Sequence, residues 1–244
     1  MTDQIELTPR NLVFPVARIL DSKILDVYKE AINSYGEKAQ SSLNVLQDRN
    51  GNLAGSNCFA QIILRKLLPR SSRLATMTDL GLATELSSDF LKGFYSDTGL
   101  ILRTEGDSYE PNDFLAKDLA KQLKERRITL EHPKVISFDA LDLKKNEESA
   151  YGLSYKLSES AELGRNIIDA PKLTRDFNFR TIDERGIPIE DNKGSRSLYT
   201  RKDGLSVFCL VSDSSLHSHN VGLAVSSGNG RVVVVDAEGV VPKK

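Results

Sequence analysis

Hydrophobic residues recur along this chain with two periods, and the change falls near residue 142. From Asp21 to Tyr35, residues Ile24, Val27, Tyr28, Ala31 and Tyr35 form one stripe at helical spacing. Asp21 or Ser22 is placed to cap that helix. A second helix is expected from Asn57, its cap, with Phe59, Ile62, Ile63 and Leu67 on one face and Pro69 ending it. A short helix is expected over residues 87–95, capped by Ser87 or Ser88, then a strand over 99–103. The clearest helical pattern opens at Asn112, where Leu115, Leu119 and Leu123 recur every four residues. Asp113 in its first turn and Arg126 and Arg127 in its last suit the helix dipole. Residues 134–141 read as a strand.

Polar residues 142–149 separate this region from one whose period is two. Leu153, Tyr155 and Leu157 alternate with small or polar neighbours, and Phe177 and Phe179 repeat the pattern. A long polar connection at 183–198 follows, then the short apolar runs SLYT, LSVFCLV, VGLAV and RVVVVDA. RKDG, SDSSLHSHN and SSGNG between them have turn chemistry. The pattern predicts an α+β protein. Residues 1–142 are expected to be mostly helical with a few strands, and residues 150–240 an antiparallel β-rich region, with one core shared or not. Val232–Val235 show no polar alternation, which predicts a strand covered on both faces. Asn229–Gly230 is a tight-turn dipeptide, and the strand after it argues against a phosphate loop.

Composition narrows the classes. Hydrophobic residues make up 39% and charged residues 27% of 244, enough to build a core. The 33 basic and 34 acidic residues nearly cancel, so neither half is a polycation drawn to nucleic acid or lipid. Cys58 and Cys209 lie in apolar surroundings and are expected as buried free thiols. No run of roughly 20 apolar residues is present to span a bilayer, and the N-terminus has no apolar signal core. The expected compartment is the cytoplasm, with no membrane partner.

Three constellations carry candidate chemistry. His217 and His219, two apart, share a face if they sit on a strand, and with Asp213 would offer ligands for a divalent metal. Cys209 could add a thiolate. The run of turn formers around them favours instead the polar tip of a hairpin. A metal-dependent hydrolase would use Asp213, His217 and His219. A Ser-His-Asp arrangement would draw on the same histidines with Asp203, Asp213 or Asp236, and no spacing selects one. Second, Arg65, Lys66, Arg70 and Arg73 follow one helix, and Lys121, Lys124, Arg126 and Arg127 end another. Together they would form a nucleic-acid-binding patch if the two helix ends met. Ordinary solvated helix ends explain the same residues. Third, Asp48, Asn50 and Asn52 begin like a calcium loop, but Leu53 replaces the required glycine.

Leu198–Arg201 (LYTR), Gly204–Ser206 (GLS) and Gly230–Val235 (GRVVVV) together resemble a C-terminal segment of uncharacterised archaeal proteins. Pro9–Pro15 and Gly55–Phe59 are similar to stretches of the same proteins. The resemblance implies neither an activity nor a cofactor, and its middle, where the histidines lie, is variable. The leading expectation is a non-enzymatic binding or assembly module, presenting the polar loops at 183–198 and 212–220 to a partner such as another protein. The metal-dependent hydrolase and the nucleic-acid binder are the alternatives.

Overall fold

A computed structural model describes residues 16–236 apart from residues 48, 55, 56, 88, 202, 203, 212, 221, 225 and 226. Pro9–Pro15, Gly55, Ser56, Ser88 and Asp203 therefore lie outside the described residues. The chain runs through β1 (Val16–Ile19), α1 (Leu25–Ile32), α2 (Glu37–Ser42), β2 (Leu46–Gln47), β3 (Leu53–Ala54) and α3 (Cys58–Leu67). Next come β4 (Ser72–Leu74), α4 (Met77–Leu86), β5 (Ser96–Arg103), α5 (Glu110–Glu125) and β6 (Lys134–Ser137). The remaining elements are β7 (Leu141–Lys145), β8 (Leu153–Leu157), β9 (Ile167–Asp169), β10 (Phe177–Ile182), β11 (Pro188–Glu190) and β12 (Arg196–Tyr199). The last three are β13 (Leu205–Leu210), β14 (Leu216–His219) and β15 (Val233–Asp236).

The framework is an eight-stranded sheet in the order β11-β10-β12-β14-β13-β5-β6-β9, antiparallel except for the β12–β14 pair. β15 is the middle strand of a second sheet, β1-β15-β4, and β2–β3 and β7–β8 form separate two-stranded ladders.

The expectation of a mostly helical first half is overturned, because the molecule is mostly β. The helices are short, and the same stretch supplies β5 and β6, two inner strands of the main sheet. The strands not anticipated there, β1 to β4, are two to four residues long, too short to show a period of two, while β5 falls on the strand expected at 99–103 and is covered on both faces. Its residues Ile101 and Leu100 belong to opposite cores. Residues 142–145 of the polar 142–149 segment belong to β7, which pairs with β8.

Several boundaries also move. Residues 89–93 form turns, and the helix nearby is α4, closed at its start by a capping box between Thr76 and Asp79. α5 opens at Glu110, not at Asn112, which is buried inside it and bonded to Tyr151 Oη and to the Asn220 carbonyl. The expected strand at 134–141 is broken by a 3₁₀ turn at Phe138–Ala140. Asn57 does cap α3, its Oδ1 accepting from the Phe59 and Ala60 amides.

Two cores lie on opposite faces of the main sheet. One joins α3 and α5 to β7, β8 and sheet residues such as Ile101, Ile136 and Val207. The other places Met77 and Leu80 of α4 with Phe179, Leu198 and Phe208. β15 contributes Val234 to the first and Val233 and Val235 to the second, as its unbroken valine run predicts. Among the described residues no helix is long and apolar enough to cross a membrane.

Candidate functional site

The histidine pair is part of strand β14, and not a loop tip as its turn-rich surroundings predict. Pairing with β13 on one side and β12 on the other overrides the local turn preference of the serines. Leu216 and Ser218 are buried, and His217 and His219 line a cavity of about 320 Å³ together with Cys58, Asp97 and Cys209. The register explains the convergence. Asp97 of β5 faces Cys209 of β13, which in turn faces His217 of β14. Directly opposite residues share a sheet face, so the three side chains form one row. Val207 and His219 form the adjacent pair. Between the Val207–Ile101 and Cys209–Asp97 pairs β5 carries two extra residues, and Gly99 there adopts φ +75°. That irregularity bends β5 at the cavity.

The opposite wall is the start of α3. Cys58 is its first residue, 1% exposed, and its thiol donates to the Leu223 carbonyl at 3.3 Å. Its Sγ lies 3.3 Å from Tyr155 Oη. The Asn57 side-chain amide donates to the Ala224 carbonyl at 2.8 Å and to the Ser42 carbonyl at 2.9 Å. This residue therefore starts the helix and pins the segment containing Leu223 over it. Val207, Val211 and Leu223 give the cavity apolar walls, and Tyr95 and Ser227 stand at its side.

Burial pushes both thiols far above their ordinary range, and the negative charge of Asp97 adds to the effect. Tyr95 is pushed up to about 12 by burial and then by Asp97. His217 is held below the usual histidine value, chiefly by desolvation, so its imidazole is neutral at pH 7. The Tyr199 ring packs against His217 with centroids 4.7 Å apart.

Of the proposed metal ligands, His217 and His219 reach the cavity, whereas Asp213 is an exposed residue of the β13–β14 turn. The Asp213 carboxylate accepts from the Ser215 amide at 2.8 Å. Among the described residues no group of three or more His, Cys, Asp or Glu is gathered as one metal ion requires. Asp236, offered as a triad partner, instead joins β15 to its neighbours by binding Arg18 and Ser72.

The basic helix ends converge on the β7–β8 ladder. Arg65 donates to the Leu141 carbonyl and Arg126 to the Leu157 carbonyl, and Leu141 and Leu157 are register partners. Part of their charge is paired with carboxylates. Arg65 pairs with Asp139, Lys66 with Asp142, and Arg73 with Asp79. Arg126 also bonds the Ala161 carbonyl. Arg70, Lys124 and Arg127 are exposed.

Sequence reasoning missed Asp97. An acid between turn formers at the start of a strand reads as a turn residue, and only the sheet register brings it beside Cys209. Cys58 and Cys209 are buried as expected, but 151 positions separate them and no local pattern relates them. Comparison with models of protein families, with curated proteins and with solved structures finds no match for this chain.

Proposed function

We propose that the protein is a binding module that holds a small molecule in the cavity between α3 and the β5–β13–β14 face. One observation carries this reading: Cys58, Asp97, Cys209, His217 and His219, from four elements, converge within mostly apolar walls. Apolar walls with a few convergent polar groups are the usual make-up of a ligand site, and the volume is near the lower end of the ~300–1,000 Å³ range of such sites. Binding is favoured over nucleophilic catalysis because both thiols are held protonated and Cys58 is committed as a donor. The recognition surface is thus a cavity floored by a rigid sheet, in place of the polar loops that the sequence offers.

A ligand-detected NMR screen of small aromatic alcohols, amines and acids tests this. Binding is expected for some members and should disappear in Val207→Phe, which fills the cavity. Val211→Phe serves where the first variant fails to fold. Absence of binding by any member, or binding unchanged in a folded cavity-filled variant, would contradict the reading.

A further inference from the structure

The cavity opens onto a part of the main sheet that the helices leave bare. Of its described lining residues His219 is exposed and His217 half-buried, so its mouth lies beside β14. The first core covers this face of the sheet over β13, β5 and β6. Beyond β14 the same face continues on β12 and β10, and the register fixes which residues it carries. Tyr199 pairs with His217 and shares its face, Ser197 lies two positions earlier on the same strand, and Asn178 pairs with Ser197. Phe177, Phe179 and Leu198 alternate onto the other face, in the second core. Asn178 is exposed, Ser197 half-buried and Tyr199 47% exposed. The ring contact between Tyr199 and His217 makes this shelf continuous with the cavity.

The groups of the shelf are polar and neutral. Ser197 Oγ donates to Asn178 Oδ1 at 3.1 Å, which leaves the Asn178 amide hydrogens for an outside acceptor. Charges at its border offset one another. Arg180 pairs with Asp191, and around His217 Asp213 and Asp176 stand against Arg201. We propose that the ligand is longer than the cavity: a small apolar ring inside it, joined to a neutral sugar ring that lies on Tyr199. This rests on the cavity being a binding site. A pyranose has an apolar C–H face that packs on an aromatic ring, and its hydroxyls suit the amide and hydroxyl groups beside that ring. A second aromatic ring would cover the polar groups of Asn178 and Ser197 without bonding them. A charged group would lose hydration with no counter-charge on the shelf itself.

Phenol and the phenyl glycosides of glucose, galactose, mannose and N-acetylglucosamine, titrated calorimetrically at pH 7.5, separate the two parts. At least one phenyl glycoside should bind about tenfold tighter than phenol, the gain expected of one ring contact and one hydrogen bond. Tyr199→Ala should bring that glycoside level with phenol and leave phenol binding unchanged. Tyr199→Phe, which keeps the ring, should retain most of the gain. Val207→Phe should remove binding of both. The wild-type ranking and the Tyr199→Phe arm decide the matter if Tyr199→Ala does not fold. Phenyl glycosides that bind no tighter than phenol would overturn the sugar proposal and leave the cavity reading standing. So would a gain that survives in a folded Tyr199→Ala variant, or phenyl glucuronide, with its carboxylate, binding tighter than every neutral glycoside. Binding of neither phenol nor any glycoside at millimolar concentration would remove both.

Discussion

Asn57 shows how much one side chain can hold. Itself 1% exposed, it caps α3 through Oδ1 and ties Ser42 and Ala224 to the helix start through its amide. Loss of a cap alone costs ~1 kcal/mol, and leaving the buried Ser42 carbonyl without its donor adds about 1–3 kcal/mol, with a smaller cost at the part-buried Ala224 carbonyl. Asn57→Ala is therefore expected to destabilise the protein by at least ~2 kcal/mol in denaturant unfolding. A loss below ~0.5 kcal/mol would show that these bonds are not formed in solution. The cap itself was legible in the sequence, because Asn before an apolar periodic run has one common role. The second role was not, since Ala224 is 167 positions away.

His217 gives a pH test at the same scale. Its environment comprises Asp213 in the β13–β14 turn, His219 on its own strand, Arg201, Asp176 and the Tyr199 ring. Desolvation lowers its pKa below the usual value, so it gains its proton only as pH falls beneath about 6.5. Protonation places a positive charge at the cavity. The affinity of a protonated aromatic amine that binds in the screen should accordingly hold between pH 8 and 7 and decline as pH falls beneath about 6.5, with His217→Gln losing most of that dependence. An affinity that rises on acidification would contradict the arrangement.

Elements with a clear apolar period were readable, and those whose buried residues are polar or small were not. The Leu115, Leu119, Leu123 stripe of α5 is buried as its spacing demands, β10 alternates at Phe177 and Phe179, and β8 buries Leu153, Tyr155 and Leu157 as expected. β14 was hidden because its alternation sets Leu216 and Ser218 against His217 and His219, a pattern that serine-rich flanks make indistinguishable from a turn. α4 was hidden for the opposite reason. Its buried residues, Met77, Leu80, Gly81 and Thr84, include two that carry no hydrophobic signal. Its start is nonetheless set by side chains, and Thr76→Ala should cost ~1 kcal/mol by chemical denaturation. The β7–β8 turn is held differently. Gly152 has φ +68°, and a Cβ there would lie 2.7 Å from the Ala39 amide nitrogen. Gly152→Ala should thus cost more than the ~1–2 kcal/mol of left-handed strain alone. A neutral outcome would mean that α2 does not pack on this turn.

The cavity exists only at the scale of the whole molecule. Its walls come from α3, β5, β13 and β14, elements whose sequence positions run from Cys58 to His219. That is why composition and motif spacing exposed the histidines but not the Asp97–Cys209–His217 row. The same burial makes the fold sensitive to alkali. Cys58, Cys209, Tyr28, Tyr95, Tyr151 and Tyr155 all have raised pKa values, each chiefly from desolvation. Their stabilising protonation is complete below the unfolded values near 8.5 for cysteine and 10 for tyrosine. The unfolded chain releases those protons first, so stability should fall steadily as pH rises above about 8.5. Unfolding midpoints that stay level from pH 8 to 10.5 would argue that these groups are hydrated.

The chain has three histidines, and they make the most direct test of the central claim. His217 and His219 line the cavity and His132 does not. Histidine ring resonances should be followed by NMR while a small aromatic alcohol, amine or acid that binds in the screen is added at constant pH. The His217 and His219 signals are predicted to shift together and saturate, with His132 unmoved. Saturating shifts confined to His132, or no shift in any of the three, would contradict a ligand site at this cavity.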